Sequence, residues 1–412
     1  MFQYKLPKLT YHFQRPLGEI ARDTMDWRLA KLDKEVRFCK RCVVSNQRPN
    51  IVFDEEGICA PCRFAERKVE TDWAERKRAF EDLLDRYRSK DGSNDVIVPF
   101  SGGKDSGSIA HKLKYQYGMN PLCVTWAPML YTDIGWTNLQ NSIQAGFDHV
   151  LLTPNPILHR KLSLLAFTKF GAHFYAFGRG QVAAPFHVAA ERNIKLVMFA
   201  ENGEAEYGGY LDYAKRSSLT RNEFKKFYHA GLTMENTIRA GLEEGFFEKS
   251  EIKPNSFHYY TAPPMEVFEE KQIAMSWFYY FHKNIPQENY YYCSEHMNFQ
   301  ANPGRSEGTY SKYASLDDRT DGFHYYMAFI KFGIGRTTAD AAHEVRDGHI
   351  SREEAIALVR KYDGEFPKKY FADFLDYLGI SEQEFNDIVD AYRQDHIWTR
   401  ENDAWKLKHV VS

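Results

Sequence analysis

The chain has 412 residues, 43% of them apolar and 27% charged. This is the balance of a folded globular protein with room for two or three domains, and not that of a disordered chain. Lysine and arginine number 54 against 56 aspartates and glutamates, which weighs against an electrostatic nucleic-acid binder. No run approaches the ~20 apolar residues of a membrane span, and no apolar stretch follows the lysines of the first ten residues, as a secretory leader requires. Six cysteines are too sparse for a disulfide scaffold, so the reading places the chain in a reducing cytoplasm.

In chain order, residues 1–36 are weakly patterned and read as an arm or short helices. Residues 37–90 form a second unit. It opens with Cys39-x-x-Cys42 and Cys59-x-x-Cys62, sixteen residues lying between the pairs. Two residues between cysteines let both thiolates of a tight turn reach one ion, and two such knuckles surround it tetrahedrally. The spacing predicts a structural Zn²⁺ on Cys39, Cys42, Cys59 and Cys62, with no position left for water. Ile51-Val52-Phe53 and the turn after it predict a hairpin that brings the knuckles together. Apolar positions spaced by three and four predict one amphipathic helix over 65–90.

The third unit, 91–215, alternates strand and helix, the pattern of a parallel α/β sheet. Strands are expected at Asp95–Phe100, Leu122–Trp126, His149–Leu152 and Ile194–Ala200. Helices follow the first of these and recur near 136–145 and 180–192. From 216 to 412 the chain is aromatic-rich and reads as mainly helical, with long helical stretches such as Met265–Lys283 and Ser351–Tyr362.

Between the first strand and its helix stands Ser101-Gly102-Gly103-Lys104-Asp105-Ser106. The glycines let the backbone curl close to a ligand. Free N–H groups and the helix start make an anion site, Lys104 adds a charge, and Ser101 and Ser106 add hydroxyls. Asp105 is out of place in a plain phosphate nest unless it holds the loop or a Mg²⁺. The loop does not fit the G-x-x-x-x-G-K-[ST] pattern. It is similar to the S-G-G-x-D-S signature of the PP-loop ATP pyrophosphatases, a resemblance that implies ATP cleaved to AMP and pyrophosphate.

Five stretches resemble the N-acetyl sugar amidotransferase family of bacterial surface-glycan synthesis. They are the segment Cys39 to Cys62 with Pro49 and Phe53-Asp54-Glu55; the loop itself; Glu201-Asn202-Gly203-Glu204-Ala205-Glu206-Tyr207-Gly208-Gly209; Glu307-Gly308-Thr309-Tyr310 with Ser315-Leu316-Asp317-Asp318; and Lys331-Phe332-Gly333-Ile334-Gly335-Arg336. Gly203 stands where the family pattern leads one to expect proline. The resemblance implies a PP-loop α/β domain behind a zinc-ribbon-like element, completed by the helical C-terminal region at the substrate site. It implies conversion of an acetamido group to acetamidino with ATP and Mg²⁺, through an O-adenylyl imidate that ammonia displaces. Lys104, Asp105, Lys331 and Arg336 are then the catalytic candidates. Ser101, Gly102, Gly103, Lys104, Asp105 and Ser106 hold the nucleotide, while Glu201, Asn202, Glu206 and Tyr207 are substrate or Mg²⁺ candidates at a strand end.

No cysteine is placed for an in-chain glutaminase. Residue 2 is Phe2, Cys123 lies inside a predicted strand, and Cys293 has no glycine elbow. The expectation is a partner glutaminase of the imidazole-glycerol-phosphate-synthase type. The nearest alternative is a tRNA-modifying PP-loop enzyme that adenylates its target as a thiolase does. It calls for a basic surface and reactive cysteines near the loop, which this chain does not offer. A zinc-ribbon interaction module with a decayed nucleotide site fits less well, since the loop's lysine, acid and hydroxyls are intact.

Overall fold

The structure, a computed structural model, describes residues 4–208, 216–218 and 233–412. Gly209 and the boundary at residue 215 lie outside the described residues. Helix α1 (Leu17–Arg22) precedes the cysteine segment, which runs into α2 (Ala60–Val69) and α3 (Trp73–Tyr87). The one helix expected over 65–90 is therefore two. Asp72 breaks it, its carboxylate accepting from the N–H groups of Ala74 and Glu75 at 2.9 Å each. An N-cap restarts a helix at low cost where charged side chains hide the break in periodicity.

A βα alternation follows: β1 (Val96–Pro99), α4 (Lys104–Tyr115), β2 (Pro121–Trp126), α5 (Asp133–Gln144), β3 (Asp148–Leu152), α6 (Pro156–Phe170), α7 (Phe174–Arg192), β4 (Leu196–Phe199) and the short α8 (Gly203–Glu206). The fifth strand, β5 (Ala274–Trp277), comes from beyond residue 215. All neighbours are parallel, in the order β3-β2-β1-β4-β5. Ala-Met-Ser-Trp carries no β-branched residue and is buried on both faces, so it lacks the alternation that marks a strand. That is why Met265–Lys283 reads as helix in the sequence, although only Met265–Lys271 of it is an α-helix.

The remaining described helices are α9 (Met234–Glu243), α10 (Met265–Lys271), α11 (Pro286–Met297), α12 (Asp321–Phe332), α13 (Arg336–Asp347), α14 (Arg352–Tyr362), α15 (Phe371–Leu378) and α16 (Glu382–Ala391). A hairpin the sequence reading missed, β6 (Trp398–Glu401) and β7 (Ala404–Leu407), turns on Asn402 and Asp403, both left-handed.

Successive residues of β1 face opposite cores. Val96 and Val98 pack with α4, α5 and α11 through Ile109, Leu139 and Cys293, while Ile97 packs with Phe186 of α7 and Trp277 of β5. A third core unites the cysteines with Leu17 and Ile20 of α1, with α6, and with α12 to α16. The two ends of the chain therefore fold together against the cysteine segment.

Candidate functional site

Isolated antiparallel bridges, Phe38 with Ser45 and Phe53 with Cys59, close the two knuckles. All four cysteines are buried, with sulfur atoms within 4.8 Å of one another. Cys39 and Cys62 stand 3.9 Å apart and Cys42 and Cys59 3.7 Å apart. Sulfurs ~2.3 Å from one tetrahedral ion would be ~3.8 Å apart, so the donor set fits a metal such as zinc. When bound, that ion supplies cross-linking and no chemistry.

The glycine-rich loop sits where β1 ends. Since β2 lies on one side of β1 and β4 on the other, the crevice between β1 and β4 is the switch point at which parallel sheets hold ligands. Gly102 has φ +78°, and a Cβ there would stand 2.6 Å from the Leu139 backbone, so only glycine fits both the conformation and the packing. Ser101 Oγ accepts from the Gly103 N–H at 3.1 Å, and Ser106 Oγ accepts from the Ser101 N–H at 3.2 Å. These bonds fix the curl of the loop. Helix α4 has Gly103 as its N-cap with no side-chain cap. The N–H groups of its first turn, like that of Gly102, find no acceptor among the described residues. An uncapped turn of this kind is an anion cradle.

Lys104 Nζ lies 2.6 Å from Asp105 Oδ2, and Asp105 Oδ1 accepts from Asn289 Nδ2 at 3.1 Å. Asp105 thus holds the lysine over the loop. Beneath it, Ser108 Oγ bonds the Tyr279 hydroxyl, and the Cys293 thiol donates to the Lys104 carbonyl at 3.1 Å. Burial and the Asp105 carboxylate push the Cys293 thiol up to about 12. It is a packing group, as is Cys123, fully buried in β2.

Glu201 and Tyr207 come to the same place from the end of β4. With Lys104, Asp105, Tyr313 and Arg336 they line a cavity of about 100 Å³. A larger cavity of about 230 Å³ lies over Ser101–Asp105 and shares Lys104, Asp105, Tyr313 and Arg336 with it. Burial, seconded by Asp105, pushes the Glu201 carboxyl up to about 7. Arg336 begins α13 and is held by Asp340 at 2.9 Å and by the Tyr325 hydroxyl. The segment Lys331–Arg336 is the turn that aims it. Gly333 is the left-handed C-cap of α12, and Gly335 is the N-cap of α13, where a Cβ would meet the Asp363 carboxylate at 2.5 Å.

The other expected residues go elsewhere. Lys331 does not line either cavity. Its Nζ is buried between Asp26 Oδ2 (2.5 Å) and the Phe170 carbonyl (2.6 Å), a core ion pair joining the N-terminal segment to α12. Asn202 is buried beside Glu201, and Glu206 turns away to Lys68 Nζ at 2.7 Å. Asn289, Tyr279 and Tyr313, which hold or wall the loop, escaped the sequence reading. Asn289 lies 184 residues from Asp105, in a tyrosine-rich helix that carries no local mark of its role.

Comparison with known proteins bears on parts of the chain. Residues 307–411 match the family described as LPS biosynthesis protein WbpG-like, C-terminal domain. This stretch contains Arg336 and the walls of both cavities contributed by α12 and α13. A stretch of 87 residues is 31% identical to the uncharacterized protein MJ1599 of Methanocaldococcus jannaschii, covering 21% of this chain and 31% of that protein. The chain thus spans about a third of the length of that curated relative. No helix among the described residues is long and apolar enough to cross a membrane. The C-terminal quarter is thereby tied to proteins of lipopolysaccharide biosynthesis, behind an α/β domain with a four-cysteine cluster.

Proposed function

We propose that this chain is an ATP-dependent amidotransferase of surface-glycan synthesis, converting an acetamido group of a sugar to acetamidino in the cytoplasm. The observation that carries the reading is the uncapped turn Gly102–Ser106 at the sheet's switch point, with Lys104 beside it and Arg336 brought in from the WbpG-like segment.

The cradle receives the departing pyrophosphate. The acetamido oxygen attacks the α-phosphorus, the bond to the β-phosphate breaks, and AMP is left on the amide oxygen as an imidate. Donors already aimed at the growing negative charge stabilise such a step without reorganising. Lys104 stays poised through its bond to Asp105, and Arg336 through its bonds to Asp340 and Tyr325. Asp105 and Glu201 are the carboxylates that would hold Mg²⁺, which when bound would neutralise phosphate charge. Ammonia then forms the C–N bond while the C–O bond to AMP breaks. In this reading the ammonia comes from a partner glutaminase, with which the burial of Cys123 and Cys293 as packing groups accords. Lys331 has no part in this reading.

The test is mass spectrometry of acetamido-sugar nucleotides incubated with the full chain, ATP, Mg²⁺ and ammonium. A product with NH in place of one oxygen supports the reading. ATP turnover indifferent to the sugar, or adenylation of tRNA instead, overturns it.

A further inference from the structure

One cavity among the described residues is lined by cations and rings and by no carboxylate. It measures about 290 Å³ and lies between Arg67 and Lys68 of α2, Trp73 and Arg76 of α3, and Tyr279 and Tyr280 after β5. The two cavities over the loop, by contrast, hold several carboxylates each.

The cations here are unequally engaged. Lys68 is taken up by Glu206 at 2.7 Å, whereas Arg67 and Arg76 make no ion pair among the described residues. Arg67 is exposed on α2, and Arg76 is half-buried with its guanidinium 3.6 Å from the Tyr280 ring centroid. Burial lowers the Arg76 pKa, and Glu75 offsets only part of this. A guanidinium partly out of water without a counter-ion favours an anion beside it. Its planar fork matches phosphate oxygens two at a time.

The rings are set for a flat partner. Trp73 Nε1 donates to the Lys68 carbonyl at 3.1 Å, which orients the indole. Trp73 and Tyr280 are half-buried, so each keeps ring surface open to a ligand. The cavity also adjoins the support of the loop. Tyr279 lines it, and the Tyr279 hydroxyl bonds Ser108 Oγ of α4 at 3.1 Å. It lies on the β5 side of the sheet, whereas the cavity over Ser101–Asp105 runs to Gly135 and Asn138 of α5, after β2. ATP on the cradle is thus provided for on the other side, and this second place for a base and phosphates is left to the second substrate.

We propose that this cavity holds the nucleotide handle of the sugar substrate, a nucleoside mono- or diphosphate with its base against Trp73 and Tyr280 and its phosphates on Arg67 and Arg76. This deepens the amidotransferase reading and rests on it for the sugar. It specifies that the sugar arrives nucleotide-activated. Ring stacking accepts any base, and guanidinium planes stack on bases as readily as rings do. An RNA strand would use the same chemistry but needs a groove for ~4–16 nucleotides. At about 290 Å³ the cavity is near the ~300 Å³ at which small-molecule sites begin.

Binding is read by calorimetry without turnover. The zinc-loaded full chain, its loop first saturated with α,β-methylene-ATP and Mg²⁺, is titrated with UDP and CMP, against uridine, inorganic pyrophosphate and oligouridylate. UDP or CMP is expected to bind at least about tenfold more tightly than uridine or pyrophosphate. Arg67→Gln and Arg76→Gln are each expected to weaken it about tenfold, as for a lost charged hydrogen bond, with uridine binding and melting temperature unchanged. Trp73→Leu should weaken the nucleotide and uridine alike. Nucleotide binding no tighter than that of pyrophosphate, or unchanged in both arginine variants, overturns the proposal. So does displacement of UDP and CMP by the ATP analogue, which would put them on the cradle, or tighter binding of oligouridylate, which would mark an RNA site. In turnover, Arg76→Gln is expected to raise the KM for an acetamido-sugar nucleotide about tenfold and leave kcat and the KM for ATP within about twofold. A fall in kcat at unchanged KM would contradict a handle site. The titration involves no acetamido group, so a nucleotide site without amidine formation overturns the proposed function alone. Amidine formation indifferent to Arg67 and Arg76 overturns this inference alone.

Discussion

The cysteine knuckles and the glycine-rich loop are the two most recognisable motifs of this chain, and they differ in what completes them. The knuckles carry all their donors within Cys39–Cys62, and two short bridges bring the sulfurs to ion-binding distances. The loop carries its backbone geometry within six residues but draws its supports from afar. Asp105 is held by Asn289 of α11, the site opens onto Glu201 after β4, and its second cation, Arg336, starts α13. A site that is a fold element in itself can be read from spacing. A site assembled on a sheet edge shows its centre in sequence and hides its periphery.

The comparison can be broken in order of expected size. Metal removal comes first. If the knuckles hold zinc as structure, a strong chelator or Cys39→Ser with Cys42→Ser costs the fold several kcal/mol or more, set against the ~10–16 kcal/mol apparent affinity of structural zinc. The third core should open with it, since the cysteines belong to the same core as Leu17 and α16. Circular dichroism and calorimetry read this, and a chain that keeps its melting temperature after losing zinc would refute a structural ion.

Next comes Lys331. If it is a core ion pair and no clamp, Lys331→Met removes one of the two cationic partners of Asp26, Arg28 remaining at 2.6 Å, and costs about 1–3 kcal/mol of stability. At temperatures where the variant is folded, kcat/KM should be unchanged. A large kcat loss at full stability would return Lys331 to the site. Lys104→Ala should do the reverse. It removes a preorganised donor and lowers kcat about 10²–10³-fold, in the range of a lost oxyanion donor, with little change in melting temperature. Asn289→Ala is the finest test. It removes one hydrogen bond that holds Asp105, worth about 1–1.5 kcal/mol. Pyrophosphate release should slow about tenfold while the KM for sugar stays put.

Much of this molecule was legible in sequence for physical reasons. Parallel strands buried on both faces read as short apolar runs, so β1, β2 and β4 stood out, and the half-exposed edge strand β3 did so through Val150-Leu151-Leu152. The loop's two glycines, lysine and acid need each other only locally. Glu201 and Tyr207 could be placed because ligand sites favour strand ends. Lys331 was misjudged because its motif mates with Arg336 in one turn, and sequence does not say which of two cations five residues apart faces the core. β5 lacked β-branched residues, and Asp72 split a helix whose periodicity runs almost unbroken across it. Asn289 sits on a helix with no motif, and only the packing of α11 against α4 and the loop reveals it.

The most direct measurement follows the oxygen. With an acetamido sugar labelled with ¹⁸O at the acetamido carbonyl, the full chain, ATP, Mg²⁺ and ammonium should yield pyrophosphate and AMP carrying ¹⁸O on phosphorus, one label per amidine formed. Unlabelled AMP, or ADP and phosphate in its place, would contradict the claim that the Ser101–Ser106 turn holds pyrophosphate while AMP passes to the amide oxygen.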